Sequence, residues 1–151
     1  MALQIEVINN FPKNTINTNT QNEVKIDIEY AKSIETTKTT YNYSSPFMKL
    51  SFDYFMIDTK TTMKYITLIK VYLKHDTKLY LFKFGLSREL ESMKLEIGMG
   101  NCYPIVKLNN HLAYRRDMIS IKKYMYSYSS LLKRLDDMEQ SDNSNHTCVI
   151  L

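Results

Sequence analysis

The residues of this chain that could take part in catalysis are few and widely separated. The 151 residues include three histidines, His75, His111 and His146, and two cysteines, Cys102 and Cys148. Cys102 with His111 is the one combination that could supply a nucleophile and a base, but a lone cysteine more often packs as a small buried side chain. No spacing of these residue types fits a metal site. We therefore expect a protein that is not an enzyme and that uses no metal or cofactor.

The last four residues have the order of a prenylation box. Cys148, Val149, Ile150 and Leu151 match the C-a-a-X pattern, in which a terminal Leu favours geranylgeranyl over farnesyl. The thiolate must reach a transferase active site, and the polar residues before it predict a solvated tail. The resemblance to C-a-a-X proteins implies alkylation of Cys148 by a host prenyltransferase, removal of the last three residues and methylation of the new carboxylate. The alternative is an apolar ending that arose by chance or packs as a final strand.

A second membrane signal is needed, because one lipid chain gives only marginal, reversible binding. The spacing of Met118, Ile121, Met125, Tyr128, Leu132 and Leu135 is typical of an amphipathic helix. On such a helix six basic residues would form a stripe away from the apolar side: Arg115, Arg116, Lys122, Lys123, Lys133 and Arg134. Each cation can contribute about 1 kcal/mol near an anionic leaflet. The stripe predicts contact with an anionic membrane surface, and the alternatives are a solvated helix face or contact with nucleic acid.

The remainder of the chain predicts strands. Apolar and polar residues alternate most clearly at 3–7 and 24–30, and weaker strands are expected at 93–97 and 105–108. Residues 47–57, 63–73 and 78–84 are joined by short connections and should pair as an antiparallel meander. The Asn- and Thr-rich stretch at 9–22 and the Thr-, Ser- and Tyr-rich stretch at 32–45 predict mobile loops. The predicted fold class is α+β: one domain over residues 1–138, with an antiparallel sheet and a long C-terminal helix, and a flexible tail over residues 139–151.

Composition places the chain among globular proteins. Its mass of 17.9 kDa suits one domain, and 44% apolar with 24% charged residues excludes wholesale disorder. The net charge of +4 gives a mild preference for anionic partners. The sequence shows neither a secretory signal nor an apolar run long enough to span a bilayer, and two cysteines cannot form a disulfide framework. We therefore expect a cytoplasmic location, at the cytosolic face of a membrane.

In size, β-rich character and membrane-seeking end, the chain resembles the small matrix proteins of negative-strand RNA viruses. The likeness includes residues 52–58 ahead of a Lys-rich strand. It implies a peripheral protein that coats the inner leaflet, forms homo-oligomers through its sheet edges, contacts a nucleocapsid and enters the virion. The first hypothesis is therefore a non-enzymatic peripheral membrane scaffold, anchored by prenylated Cys148 and the basic helix face. The alternatives are a nucleic-acid-binding or transport protein that uses the basic stripe, and a soluble adaptor for an acidic partner.

Overall fold

Alternating apolar residues along most of the chain form strands. The computed structural model of the protein describes residues 2–11, 22–33, 39–76, 78–88, 90, 92–101, 103–113 and 115–120. The strands within these residues are β1 Gln4–Asn9, β2 Glu23–Ala31, β3 Tyr41–Ser44, β4 Met48–Lys49, β5 Tyr54–Asp58, β6 Tyr65–His75, β7 Lys78–Arg88, β8 Ser92–Met99, β9 Pro104–Leu108, β10 His111–Leu112 and β11 Arg115–Ser120.

The strands form two sheets that pack face to face as a β-sandwich. Sheet I has the order β10-β9-β8-β1-β5, and sheet II has the order β11-β7-β6-β2-β3, with β4 also paired to β2. Most neighbours are antiparallel, but β1 and β8 are parallel. Because the chain passes between the sheets repeatedly, strands that are neighbours in space are often distant in sequence. Among the described strands, β5 pairs only with β1 and therefore ends sheet I.

The core lies between the sheets and consists of the apolar side chains that face inward from the strands of both. Leu3, Ile5 and Val7 of β1 and the loop before it face the second sheet, and their partners across the core come mainly from β2, β6 and β7. Full burial of one such aliphatic side chain contributes roughly 1.5–3 kcal/mol. The other buried apolar residues of this core are Val24, Ile26, Ile28, Ile57, Met63, Ile66, Ile69, Val71, Leu73, Tyr80, Phe82, Phe84, Met93, Leu95, Ile97, Val106 and Leu108.

Sheet II also has buried residues on its other face. Leu79 and Leu81 alternate with the core residues of β7, and both are fully buried. Lys83 and Asp117 lie on this same face of adjacent strands, since Asp117 is in register with Leu81, and both charged residues are buried. Lys83 is also directly opposite Lys70 of β6. A buried charge is costly unless an opposite charge is close, and Asp117 is a buried opposite charge on the same face as Lys83.

The predicted α+β class is wrong, because the described residues contain no helix and form two sheets. The expected long C-terminal helix is wrong at its start, because Arg115 and Arg116 of the predicted helical stripe belong to strand β11. β11 pairs with β7 from Arg115↔Lys83 to Ser120↔Lys78, so the open edge of β7 supplies its main-chain partners. This long-range pairing outweighs the local helical spacing that begins at Met118. Residues 121–138 and the predicted tail at 139–151 lie outside the described residues.

The predicted meander is present only in part. β6 and β7 form the expected antiparallel hairpin, whereas residues 47–57 divide between the two sheets. β4 pairs with β2 in sheet II, and β5 pairs with β1 in sheet I. Residues 32–45, predicted as a loop, include β3, in which Tyr43 packs against the core between polar neighbours. Of the stretch 9–22, also predicted as a loop, Asn9 belongs to β1, and residues 12–21 lie outside the described residues.

Candidate interaction surface

An exposed apolar surface lies along β5, the edge strand of sheet I. Ile57 of this strand faces the core, so the residues that alternate with it face outward. Phe52 is 71% exposed, Tyr54 is 51% exposed and Met56 is 48% exposed. We call these three residues the edge patch. Large apolar side chains grouped at a sheet edge are typical of an interaction surface.

Asn9 at the end of β1 fixes the segment that leads into β5. Its Nδ2 donates to the carbonyl oxygen of Leu50 at 3.2 Å, and its main-chain N–H donates to the carbonyl of Asp53 at 2.8 Å. Asn9 Oδ1 in turn accepts from the N–H of Phe11 at 3.1 Å. The chain is not a strand between β4 and β5, and these bonds hold this connecting segment, with Phe52, at the sheet edge.

A buried threonine fixes the other end of β5. Thr59 Oγ1 donates to the carbonyl oxygen of Leu3 at 2.9 Å, and the Thr59 N–H donates to the same oxygen at 3.2 Å. The N–H of Lys60 donates to Asp58 Oδ1 at 2.8 Å, and Lys60 has a left-handed φ of 54°. The chain therefore turns sharply after Asp58. β5 is tied to β1 at both ends and presents its outer face in a fixed position.

The main-chain groups of β5 divide between β1 and the open edge. Paired residues of an antiparallel ladder alternate between hydrogen-bonded and non-hydrogen-bonded pairs. The bonds Asn9→Asp53 and Thr59→Leu3 identify the hydrogen-bonded set, to which Phe55 and Ile57 also belong by register. The N–H and C=O groups of the alternate residues, Tyr54, Met56 and Asp58, therefore point away from β1. They form an open edge that another strand could pair with.

Carboxylates border the edge patch. Tyr54 Oη lies 3.5 Å from Glu6 Oε2, and Asp58 ends the strand. Burial, with a smaller contribution from the Asp58 carboxylate, raises the pKa of Tyr43 across the sandwich. β5 itself contains neither Lys nor Pro, two residue types that commonly prevent edge strands from pairing. The surface is suited to binding a strand rather than to acid–base chemistry.

A polar groove lies on the outer face of sheet II, with a volume of about 270 Å³. Its two carboxylates, Asp27 and Glu29, already have partners. Asp27 forms an ion pair with Lys25 and accepts from Ser44 Oγ at 2.7 Å. Glu29 Oε1 accepts from Thr67 Oγ1 at 3.0 Å. Because these bonds leave the carboxylates already paired, the groove is a hydrogen-bonded surface of the sheet rather than a candidate ligand site.

His75 at the end of β6 joins the two chain segments on either side of residues 12–21. Its ring stacks on Phe11 with centroids 5.1 Å apart, and its Nδ1 lies 2.9 Å from Asn22 Oδ1. Burial lowers the pKa of His75, with Lys78 acting in the same direction and Asp76 opposing it. The imidazole has a hydrophobic stacking partner and a hydrogen bond, which is a structural role.

Most residues of the predicted sites lie outside the described residues. These are Cys102 of the considered catalytic pair, Lys122, Lys123, Lys133 and Arg134 of the basic stripe, and Cys148, Val149, Ile150 and Leu151 of the prenylation box. Arg115 and Arg116 belong to β11, and His111 belongs to β10, where it is exposed. Strand side chains repeat every two residues, so the helical geometry that aligned Arg115 with Lys122 does not apply at Arg115.

The edge patch was not predicted from the sequence. The alternation of Phe52, Tyr54 and Met56 predicts a strand with one apolar face, and an apolar face is usually buried. The available signal was that Phe55 and Ile57 are apolar as well, so the strand is apolar on both faces. An antiparallel strand with one solvated face normally has polar residues there.

Three further observations bear on the class of protein. Among the described residues, no helix has the length and apolar character needed to cross a membrane. In the same part of the chain, no group of three or more His, Cys, Asp or Glu side chains is placed to hold a metal ion. Comparison with protein-family models, with curated proteins and with solved structures gives no match for this chain.

Proposed function

We propose that this chain is a non-enzymatic scaffold protein that self-associates at the cytosolic face of a membrane. The edge patch is the observation that carries the proposal. It combines exposed aromatic and apolar side chains with an open row of main-chain donors and acceptors. A protein that must remain monomeric usually blocks such an edge with charge, proline or a covering segment. A self-associating scaffold would use the open edge to pair with another copy.

The membrane part of the proposal depends on prenylation of Cys148. One prenyl chain gives marginal binding, whereas two chains on one particle give stable attachment. Self-association supplies the second chain without a new contact to lipid, because the second anchor then binds at high effective concentration. This coupling removes the need for a basic helix face as the second signal. It also makes membrane attachment depend on assembly.

Flotation of cell extracts tests the membrane part. The full chain, Cys148→Ser and the matched control Cys102→Ser would be expressed in eukaryotic cells and centrifuged through a density gradient. We expect the wild-type chain and Cys102→Ser to rise with membranes and Cys148→Ser to stay in the dense fraction. If none of the three floats, the membrane proposal is contradicted, and the nucleic-acid alternative would be tested by the salt dependence of binding.

A further inference from the structure

We infer that the chain forms a symmetric dimer in which β5 pairs antiparallel with β5 of a second copy, centred on Met56. The inference deepens the proposed function, on which it rests, by naming the partner and the register. The resulting particle would join two copies of sheet I into one continuous sheet across a two-fold axis. Such an isologous interface closes after two copies, because the same edge is used by both.

The register follows from the main-chain geometry. Within β5, the main-chain N–H and C=O groups of Tyr54, Met56 and Asp58 point to the open edge. Only these residues can therefore form hydrogen-bonded pairs with a new strand. Antiparallel pairing centred on Met56 places Met56 opposite its own copy and Tyr54 opposite Asp58 of the second copy. Every open-edge residue of one β5 then meets an open-edge residue of the other. These pairs would form about six main-chain hydrogen bonds.

The side chains favour the same register. Met56 meets Met56, which buries apolar surface that is exposed in the single chain. Tyr54 meets Asp58 of the second copy, so a phenol donor lies beside a carboxylate acceptor. No like charges are opposed.

The neighbouring symmetric registers are less favourable. Centring the pair on Asp58 would place two carboxylates directly opposite each other, which is destabilising. Centring it on Tyr54 would leave Asp58 without a strand residue opposite it, because the partner strand begins at Tyr54. Centring it on Phe55 or Ile57 still pairs open-edge residues, but it leaves Asp58 or Tyr54, respectively, without a strand residue opposite it. The Met56-centred pairing is therefore the one that uses the whole strand.

Sedimentation of the purified full chain, without lipid, tests the dimer separately from membrane attachment. We expect wild-type protein to approach twice its 17.9 kDa mass as concentration rises. Met56→Lys should remain at the monomer mass, because it places two ammonium groups opposite each other. Met99→Lys is the matched control, since Met99 is 42% exposed but lies in β8 away from the open edge, and it should dimerise as wild type does.

Met56→Pro gives a second, independent variant. The N–H of Met56 points to the open edge, so proline there removes a donor of the dimer without breaking a bond to β1. We expect a folded monomer. A wild-type chain that stays monomeric at all concentrations overturns the inference, as does a Met56→Lys protein that dimerises normally. The second result leaves the scaffold proposal standing through another surface. A monomer that binds vesicles through the edge patch also overturns the dimer.

Cross-linking tests the register. In a chain carrying Cys102→Ser and Cys148→Ser, we expect Met56→Cys to cross-link to its copy, because the two Cα atoms would lie about 5.5 Å apart. Tyr54→Cys should not, because its copy would lie roughly 13 Å away along the strand. A mixture of Tyr54→Cys and Asp58→Cys chains should give mixed dimers. Efficient cross-linking of Tyr54→Cys to itself would contradict the register.

Discussion

Replacing Ser45 with alanine should leave a buried main-chain donor of β2 without a partner. Ser45 lies just after β3 and is 3% exposed. Its N–H donates to the carbonyl of Ile26 at 2.9 Å, and its hydroxyl, rather than its carbonyl, accepts from the Ile26 N–H at 2.9 Å. The hydroxyl also donates to the carbonyl of Pro46 at 3.0 Å. The serine side chain thus completes the ladder where the chain leaves it.

The expected cost follows from the burial of this bond. A buried donor without an acceptor destabilises a folded protein by about 1–3 kcal/mol. For a domain of this length, that corresponds to a fall in melting temperature of roughly 2–12 °C. Ser45→Ala removes no packing volume beyond one oxygen, so most of the loss should come from the Ile26 N–H. Urea denaturation at one fixed protein concentration measures the change, because self-association adds concentration-dependent stability.

Ser44 is the matched control. It is the preceding residue and is exposed, and its hydroxyl donates to Asp27 Oδ1 at 2.7 Å. Solvent can replace this bond, so Ser44→Ala should change the free energy of unfolding by less than about 0.5 kcal/mol. If both alanine variants have the same stability, the account of Ser45 as the partner of the β2 ladder is refuted.

Three other changes test the fold and its charges. His75→Gln should reduce the loss of stability at low pH. Burial lowers the pKa of His75, so the neutral imidazole does not destabilise the fold above its ordinary pKa of 6.5. As pH falls below 6.5 toward the lower folded pKa, the unfolded chain takes up the proton more readily and the free energy of unfolding declines. Denaturation midpoints between neutral and acidic pH measure this, and an unchanged slope would contradict it. Lys83→Met and Asp117→Leu should each cost about 3–5 kcal/mol, and the double variant should cost less than their sum. Additive losses in that double-mutant cycle would mean that the two buried charges do not interact. Thr59→Val should cost about 0.5–1.5 kcal/mol, because it removes the 2.9 Å bond to the Leu3 carbonyl while the main-chain N–H of residue 59 still donates to that oxygen, and wild-type stability would refute that role.

Sequence patterns predict the strands well where the two faces of a segment differ in polarity. In β2, Val24, Ile26 and Ile28 are buried and alternate with charged residues, and the predicted strand at 24–30 matches β2 closely. The β6–β7 hairpin also follows from the sequence, since a short turn at Asp76 joins two long alternating segments. These elements are set by local periodicity and by a connection too short to allow another partner.

The remaining structure depends on pairings that are distant in sequence. β1 lies between β8 and β5, and neither pairing follows from the spacing of its residues. The helical spacing after Met118 was misleading because residues 115–120 gain main-chain partners from β7 instead. The apolar segment 47–57 passes from sheet II to sheet I just before β5. The N–H of Asn9, far away in sequence, donates to the carbonyl of Asp53 at this point.

The candidate surface was the least predictable feature. Its residues, among them Tyr54 and Met56, have the composition of a buried strand, and only the sheet order shows that β5 has an open side. The proposed prenylation box is a prediction from the sequence alone, because it is a short motif that does not depend on the fold. An interaction surface therefore required the structure, whereas the proposed anchor did not.

Amide hydrogen exchange of the full chain, measured across a range of protein concentrations, tests the central claim most directly. The amides of Phe55 and Ile57 bond to β1 and should be protected at every concentration. Those of Tyr54, Met56 and Asp58 point to the open edge and should become protected only as the dimer forms. Concentration-dependent protection of these alternate residues is the predicted result. Fast exchange at Tyr54, Met56 and Asp58 at all concentrations would contradict self-association through β5.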